Sequence, residues 1–555
     1  MQKDRTTTIL TWILFIITLV PTLVYAFLPE ASILKWFAND DAFYYFVTAR
    51  NTGTGAGSTF DGIARTNGYH PLWMLLCIPI FTLLKGELFL PLRVVIGVQA
   101  LLTAGSAVLM FRLLKQRVSP GVSFFGSLFW AAAPALYSQI AVGGLETGLN
   151  AFMLTLTLFL MQWSIEQNPP PGRRNQRIFM LGLSAGLMVL ARLDNAFFMA
   201  FAGLWLIVRR WKADEDMYDT PWRRRINEYL AYGLPVVFLV GSYLVFNYLS
   251  FGEFVPISGQ VKHWWGQLPG HPYGRAPQNL RELYIETFAS KDRGLVPWSY
   301  VYITSLNVIE KSNTWLASIG LPGFMRTRWL VLFLAVLLLL DFRKTRDTIL
   351  QTGMIPLLLG AFAQILYYKL GGHAATRTWY WVLELLFTTL FLITLLNVFS
   401  GLLHRIPRGE TLSLILFLSL SGLLMWQHIQ YLDRLKNPYS DEERTPIDTA
   451  AWLENNTEEG SLIGMTGAGS TSYFISERTI VNLDGLINGY EYFYNLKAGT
   501  GHAYLESIGL DYVMGKPDRI LGKPPYEDIF TGRVDAPVLL DNEDPEGTTL
   551  WAFAP

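Results

Sequence analysis

Long apolar runs alternate with short polar connections along most of the chain. Because about 20 apolar residues cross a bilayer, eleven of these runs are predicted to be membrane-spanning helices. They lie near 8–27, 88–111, 119–140, 147–166, 178–191, 195–208, 229–249, 329–342, 348–369, 379–399 and 411–432. The first follows Lys3 and Arg5 and is expected to remain as an uncleaved anchor. The shorter apolar stretch 71–84 is typical of a helix that lies against the membrane.

Basic residues are concentrated in every second connection between these runs. Clusters of arginine and lysine begin at residues 112, 173, 209, 343 and 405. Since cytoplasmic loops carry the positive excess, the pattern predicts a cytoplasmic N-terminus and an extracytoplasmic C-terminus. The membrane module is then 1–432, with a first outer loop at 28–87 and a long outer loop at 250–328, and residues 433–555 form an extracytoplasmic domain.

The C-terminal domain is predicted to have an α/β fold. A capped helix is expected over 445–455 and strands over 461–465 and 479–483, with a glycine-containing turn at 467–470 that leads into a second helix. Asp484 and Asn488 could bind a sugar or simply belong to a loop at a strand end. The glycine spacing does not match a dinucleotide-binding fingerprint.

Composition agrees with a membrane protein. Of 555 residues, 51% are hydrophobic and only 16% are charged, which argues against the soluble enzyme classes. Lysine plus arginine and aspartate plus glutamate both total 44, so nothing indicates a nucleic-acid partner. The single cysteine, Cys77, excludes an intrachain disulfide. Aromatic residues reach 14%, and four tryptophans of the long loop could stack on a sugar or anchor at the membrane interface: Trp264, Trp265, Trp298 and Trp315.

Nearly every acidic residue close to a span lies at its outer end. Asp40 and Asp41 open an aromatic helix just after the first span, where mutual repulsion and partial burial favour one carboxyl as a base, although Asn39 or Asp40 could simply cap that helix. Glu146 and Asp194 lie in two outer turns, where each alone could compensate a helix dipole. Their convergence on one face indicates a functional site.

Cationic groups also occur on the outer side, against the usual charge bias. Arginine forks suit phosphate oxygens, although each residue alone could be a contact to lipid headgroups. These residues are Arg50, Arg65, His70, Arg192, Lys262, His263, His373 and Arg377.

Several motifs resemble those of the GT-C superfamily of membrane glycosyltransferases. The carrying segments are DDAFYYFVTARN (Asp40 to Asn51), FDG (Phe60 to Gly62), TNGYHPLW (Thr66 to Trp73), GLET (Gly144 to Thr147), ARLDN (Ala191 to Asn195) and FGEFVPISGQVK (Phe251 to Lys262). The chain is most similar to bacterial enzymes akin to cell-wall arabinofuranosyltransferases and to protein mannosyltransferase-like proteins. The likeness covers about the first 270 residues well and the later spans loosely.

The resemblance implies transfer of a sugar, with inversion, from a polyprenyl monophosphate to an acceptor hydroxyl on the outer face. In the family an acidic residue of the first outer loop is the catalytic base, and the matching position favours Asp40 while leaving Asp41 open. The protein mannosyltransferases have Asp then Glu here, so this chain departs from their pattern.

This chemistry assigns roles to the remaining candidates. Polyprenyl phosphate is already a good leaving group, so the protein must neutralise its charge and deprotonate the acceptor. The phosphate candidates are Arg192, Lys262, His70 and Arg377, and the groups that bind or orient the acceptor are Glu146 and Asp194. No cofactor is required, but Mg²⁺ or Mn²⁺ held by Asp40, Asp41 and Glu146 is an alternative.

Two other functions fit parts of the pattern. A transporter or flippase of lipid-linked sugars would also have many spans, but its ionisable groups would lie near the bilayer midplane rather than at span ends. A receptor that uses the spans only as an anchor would need just one. The expected partners are the polyprenyl-phosphate-sugar donor, a glycan, lipid or protein acceptor, and membrane lipids, at the bacterial plasma membrane.

Overall fold

A helical region and a smaller α/β region make up the structure. The computed structural model describes residues 2–165, 171–214, 222–289, 297–437, 444–540 and 547–554. Residue 166 of the fourth predicted span and residues 290–296 of the predicted long loop lie outside these ranges.

The helical region contains nineteen α-helices within the described residues. They are α1 (Gln2–Tyr25), α2 (Glu30–Trp36), α3 (Asp41–Gly53), α4 (Pro71–Leu83), α5 (Phe89–Leu114), α6 (Pro120–Ala132), α7 (Pro134–Ile140), α8 (Thr147–Ile165), α9 (Pro171–Ala191), α10 (Ala196–Asp214), α11 (Trp222–Phe251), α12 (Ile257–Trp265), α13 (Leu280–Tyr284), α14 (Ser299–Ser318), α15 (Thr327–Leu340), α16 (Phe342–Thr352), α17 (Met354–Leu370), α18 (Val382–Leu403) and α19 (Gly409–Leu435). Short 3₁₀ turns (Leu193–Asn195, Thr378–Trp381) and one π turn (Ile285–Ala289) join some of them.

Each of the eleven predicted apolar runs is mostly helical where it is described, with non-helical residues at the ends of several runs. Two runs are interrupted in their interior. Residues 119–140 divide between α6 and α7 at Pro134, which lacks the N–H that would continue the first helix. Residues 348–369 divide at Gly353, whose φ of 76° accompanies a bend of 65° between α16 and α17. Five helices of the described part are long and apolar enough to span a membrane, or six if the bent pair counts as one, so the predicted eleven spans and their orientation stay predictions.

The α/β region has a five-stranded sheet in the order β2-β1-β3-β5-β4. Its elements are α20 (Pro446–Asn456), β1 (Leu462–Met465), α21 (Gly469–Phe474), β2 (Thr479–Asn482), α22 (Tyr490–Ala498), α23 (Gly501–Ser507), β3 (Tyr512–Gly515), α24 (Pro517–Ile520), α25 (Tyr526–Phe530), β4 (Val534–Leu540) and β5 (Thr549–Phe553). The first three strands pair in parallel, and β5 is antiparallel to β3 and β4. The predicted helix and both predicted strands are confirmed.

Helices cover both faces of this sheet. Successive side chains of a strand point to opposite faces, so Val513 packs with residues of α22, α23 and α25, whereas Met514 packs with Leu453 of α20. A capping box at Thr445 and Asp448 starts α20 where the sequence predicted its start. Two apolar cores therefore hold the domain without a disulfide.

Helices α3 and α21 join the two regions. The Asp40 carboxylate, just before α3, accepts hydrogen bonds from the backbone N–H groups of Gly469 (2.9 Å) and Ser470 (2.6 Å) and from the Ser470 hydroxyl (2.8 Å). At the other end, Arg50 donates to the Tyr473 carbonyl at 3.2 Å. A Cβ on Gly469 would lie 2.4 Å from the Asp40 carbonyl oxygen, so the close approach requires glycine.

Candidate active site

A polar cavity with an empty volume of about 540 Å³ lies between residues 41–70, the turns before α8 and after α9, helix α12 and the C-terminal domain. We call it the carboxylate cavity. It is lined by Asp41, Tyr44, Tyr45, Gly68, Tyr69, His70, Leu145, Glu146, Arg192, Ser258, Lys262, Trp379, Tyr380 and Leu486. Asp41, Glu146 and Arg192, which are far apart in sequence, thus meet in one space.

A larger and more apolar cavity adjoins it, with an empty volume of about 1450 Å³. Its walls include Phe197 of α10, Tyr367 of α17, residues of α12 and Val255, which precedes α12. We call it the apolar cavity. Five residues line both cavities: His70, Arg192, Ser258, Lys262 and Tyr380. Two of these five side chains, Arg192 and Lys262, are cations, and they lie beside a mostly apolar space.

The turn before α8 brings Glu146 to this boundary. Gly143 and Gly144 adopt positive φ values of 98° and 72°, and a Cβ on Gly144 would lie 2.4 Å from the Phe37 ring. The Trp73 indole donates to the Gly144 carbonyl at 3.1 Å and fixes the turn. The Glu146 carboxylate accepts a hydrogen bond from the Tyr45 hydroxyl at 3.0 Å.

Arg192 is buried and paired with two carboxylates. Its Nη1 lies 2.6 Å from Glu146 Oε1, and its Nε and Nη2 donate to Asp194 at 3.2 and 2.9 Å. Asp194 also accepts from Gln364 and from the Tyr368 hydroxyl, both at 2.9 Å. Burial alone would raise the pKa of Asp194, but Arg192 holds it below the ordinary value. The guanidinium donors of Arg192 are thus already bound to Glu146 and Asp194, and Arg192 positions these two predicted orienting groups.

Lys262 lines both cavities and, unlike Arg192, has no carboxylate at ion-pair distance among the described residues. Its Nζ donates to the Tyr380 hydroxyl at 2.6 Å, and the same ring lies 4.7 Å from the Arg192 guanidinium carbon. Burial opposes the charge, but Tyr380 and Asp41 raise the pKa of Lys262 above its ordinary value. The ammonium therefore stays charged at the boundary of the two cavities.

Three histidines lie close to this boundary. His70 Nε2 is 3.6 Å from Glu146, and its buried Nδ1 has no hydrogen-bond partner among the described residues. Burial lowers the pKa of His70, so the ring is neutral at pH 7. His263 and His373 line the apolar cavity with ring centres 5.1 Å apart, and burial lowers the pKa of His373 to about 4.

The two candidate bases have different environments. Asp41 lines the carboxylate cavity, whereas Asp40 lines neither cavity and its carboxylate is held by Gly469 and Ser470. The position favoured by the resemblance is thus the one that contacts the C-terminal domain. The geometry favours its neighbour, Asp41, as the residue that meets a substrate.

Asp40 gives the stability of the protein a predictable pH dependence. Burial raises its pKa from 3.8 to about 6, against the hydrogen bonds from Ser470 and Gly469. Because Asp40 binds its proton more tightly in the folded than in the unfolded protein, protonation of Asp40 stabilises the fold. This stabilisation is complete below about pH 4 and is lost as the pH rises through about 6. We expect the melting temperature of wild type minus that of Asp40→Asn to fall between pH 4.5 and 7.5, as measured by thermal unfolding in detergent. A difference in melting temperature between wild type and Asp40→Asn that does not change with pH would contradict the raised pKa of Asp40.

The proposed metal ligands do not converge. The Asp40 carboxylate is bound by the C-terminal domain and Glu146 is paired with Arg192, and within the described ranges no three His, Cys, Asp or Glu side chains could hold an ion together. The described residues thus do not fit the alternative Mg²⁺ or Mn²⁺ site, and no step below uses a metal.

Other candidates lie away from the cavities. None of the four tryptophans of the long loop lines them: Trp265 stacks on His271, Trp264 contacts Phe493, Trp298 donates to Thr388, and Trp315 is 63% exposed. Arg50 binds α21, and Arg65 and Arg377 line neither cavity. Asp484 accepts hydrogen bonds from Tyr526 and Gly467 within the C-terminal domain.

Sequence reasoning missed the residues that organise the charges. Tyr380 contacts both cations, Tyr45 links Glu146 to the His70 backbone N–H, and Ser258 lines both cavities. An aromatic residue beside a span is typically an interfacial anchor, which hid Tyr380. Its position three residues after Arg377 was the available signal.

Solved structures with this architecture are known. The oligosaccharyltransferase AglB from Archaeoglobus fulgidus, in complex with an inhibitory peptide and a dolichol-phosphate, is 12% identical with a TM-score of 0.55, covering 95% of this chain and 71% of that one. ArnT from Cupriavidus metallidurans bound to undecaprenyl phosphate is 11% identical with a TM-score of 0.52, covering 98% and 97%. Both structures have the GT-C fold, and this chain shares it.

Sequence similarity to a known family is confined to the C-terminal part of the chain. Residues 430–546 match a family described as a domain of unknown function (DUF8728). No curated protein matches the chain. The fold predicted from the motifs is thus confirmed as a helical membrane-protein fold of the GT-C type with a small C-terminal sheet.

Proposed function

We propose that the protein is an inverting glycosyltransferase that moves a sugar from a polyprenyl-phosphate donor to an acceptor hydroxyl on the extracytoplasmic face. One observation carries the proposal: Asp41 and Lys262 line the same polar cavity, and Lys262 also lines the apolar cavity beside it. A donor with its chain in the apolar cavity would place its phosphate beside Lys262 and its sugar towards Asp41. The structures of AglB and ArnT named above were determined with dolichol-phosphate and undecaprenyl phosphate, which supports this class of donor.

Asp41 acts as the general base. The acceptor hydroxyl transfers its proton to the Asp41 carboxylate while its oxygen forms a bond to the anomeric carbon of the sugar. The bond between that carbon and the phosphate oxygen breaks on the opposite side, and its electron pair leaves with the polyprenyl phosphate. Attack opposite the leaving group inverts the anomeric centre.

Lys262 stabilises the departing phosphate. The ammonium is held by Tyr380 at the boundary of the cavities, where exclusion of water strengthens its attraction to developing negative charge. His263 lines the same wall and can donate to a phosphate oxygen. Arg192 does not bind the phosphate in this mechanism. It holds the carboxylates of Glu146 and Asp194 in place by hydrogen bonds, so that they can accept hydrogen bonds from substrate hydroxyls.

Lys262→Gln should weaken donor binding. Loss of a charged hydrogen-bond donor costs about 1.5–3 kcal/mol, so the KM for the polyprenyl-phosphate donor is expected to rise about 10–100-fold. Steady-state kinetics with the donor varied at fixed acceptor concentration would measure this. Lys85→Gln, which removes an exposed lysine of the first outer loop, is the matched control. A donor KM equal to that of the wild type would remove Lys262 from the phosphate site.

The reaction itself can be tested with the purified full chain. The protein in detergent is incubated with a panel of undecaprenyl-phosphate hexoses and pentoses and with lipid, glycan and peptide acceptors. We expect release of undecaprenyl phosphate that depends on an acceptor, with a product of inverted anomeric configuration. Movement of a labelled lipid-linked sugar across reconstituted vesicles, with the bond between sugar and phosphate intact, would instead establish a transporter.

A further inference from the structure

Two arginines from different regions lie beside one tyrosine of the long outer loop. The guanidinium carbon of Arg377, before α18, lies 5.5 Å from the centre of the Tyr273 ring, and that of Arg519, on α24, lies 5.4 Å from it. Arg519 Nη1 also donates to the Tyr273 hydroxyl at 3.4 Å. We call Arg377 and Arg519 the arginine pair.

Neither guanidinium has a carboxylate at ion-pair distance within the described part of the chain. Both side chains are half-buried, so water satisfies their donors only in part. Burial raises the pKa of Asp484 overall, although the charge of Arg519 acts to lower it. The carboxylate of Asp484 already accepts hydrogen bonds from the Tyr526 hydroxyl at 2.6 Å and from the Gly467 N–H at 2.9 Å. The guanidinium groups of Arg377 and Arg519 are thus suited to bind a carboxylate or phosphate that the described residues do not supply.

The arginine pair lies where the C-terminal domain meets the segment before α18, which contributes His373, Ala374 and Tyr380 to the apolar cavity. Arg519 belongs to the C-terminal domain, which contributes Leu486 to the carboxylate cavity and no residue to the apolar cavity. Tyr273 is close enough to Asp41 to feel its charge: burial, Asp484 and Asp41 together raise the pKa of the Tyr273 hydroxyl. The donor phosphate has its own cation in Lys262.

We propose that the arginine pair binds an anionic group, a phosphate or a carboxylate, that is carried by the acceptor. The substrate class is then an acidic acceptor, such as a phosphorylated or uronic-acid-containing glycan. Its hydroxyl faces Asp41 while its anion is held between the long outer loop and the C-terminal domain. This inference rests on the proposed function, since it assigns the second substrate of that reaction.

Binding of simple anionic sugars to the full-length protein in detergent tests the assignment. The probes are glucose 6-phosphate and glucuronate, with glucose as the uncharged control, and calorimetry measures the dissociation constant. We expect the anionic sugars to bind and glucose not to bind. Arg377→Gln and Arg519→Gln should each weaken binding at least about tenfold, the loss of one charge-assisted hydrogen bond.

Two further variants make the result specific. Arg519→Lys keeps the charge but loses the bidentate fork, so it should restore binding only in part. Arg275→Gln removes an exposed arginine of the same loop that is paired with Glu282, and it should leave binding unchanged. Melting temperatures of all variants show whether a loss of binding reflects a loss of folding.

Competition with undecaprenyl phosphate separates the two possible sources of the anion. If the acceptor carries it, undecaprenyl phosphate leaves the binding of glucose 6-phosphate unchanged. Displacement of the probe would show that the arginine pair holds the donor phosphate and would overturn the proposal, as would wild-type binding in both glutamine variants. If those variants bind normally while Asp41→Asn abolishes transfer, the proposed function stands without this inference.

Discussion

Asp41→Asn should abolish sugar transfer while the protein still folds and binds its donor. Asparagine has nearly the same shape as aspartate but cannot accept the proton of the acceptor hydroxyl. Removal of a general base costs about 10²–10⁴-fold in rate, and we expect the loss in kcat to fall in that range. Because the change lies on the face of α3 that lines the carboxylate cavity, the donor KM and the melting temperature should stay close to those of the wild type.

Asp40→Asn is the matched control one residue away. Its amide can still accept a hydrogen bond from Ser470, and one lost hydrogen bond of about 1 kcal/mol corresponds to less than about tenfold in rate. The two variants thus differ in activity although they make the same chemical change at adjacent positions. Wild-type turnover in Asp41→Asn together with an inactive Asp40→Asn would reverse the assignment and restore the residue that the resemblance favours.

Arg192→Leu should have the largest effect on stability. It leaves the carboxylates of Glu146 and Asp194 buried without their cation, and breaking a buried ion pair from one side costs about 3–5 kcal/mol. Thermal unfolding in detergent should therefore show a strongly lowered melting temperature. Arg275→Leu, which breaks an exposed pair with Glu282, should cost at most about 1 kcal/mol.

A compensating variant tests the cause of this loss. The triple variant Arg192→Leu, Glu146→Gln, Asp194→Asn removes both stranded charges together with the cation. It should recover much of the stability, because neutral amides do not carry the desolvation cost of buried carboxylates. If the triple variant is as unstable as Arg192→Leu alone, lost packing of the arginine stem is the cause instead.

Much of the architecture follows from local pattern. The apolar runs form helices because a helix pairs its own backbone polar groups in an apolar environment, whether membrane or packed core. The interruption at Pro134 follows from a proline that is visible in the sequence. The helix after Thr445 was predictable because its cap lies within four residues of its start. The number of spans needs the membrane boundaries, which length and apolar content leave open for short helices such as α15.

The site was predictable only in part, because its chemistry depends on contacts distant in sequence. Asp41, Glu146 and Arg192 were identified by charge at outer helix ends, and the fold brings them together. The partner of Asp40 lies 429 residues further along the chain, so no local pattern distinguishes a residue that docks a domain from one that meets substrate. No local pattern identifies Arg519 either, because the role that we propose for it depends on Tyr273 and Arg377, which are distant in sequence.

The attachment of α21 to Asp40 couples the two ends of the chain. Asp40, whose carboxylate binds the C-terminal domain, directly precedes Asp41, which lines the carboxylate cavity. Because no linker separates the two residues, tilting of the sheet would shift the start of α3 and misalign the base that we propose. Removal of the residues beyond 437 should therefore lower turnover even with α1–α19 in place.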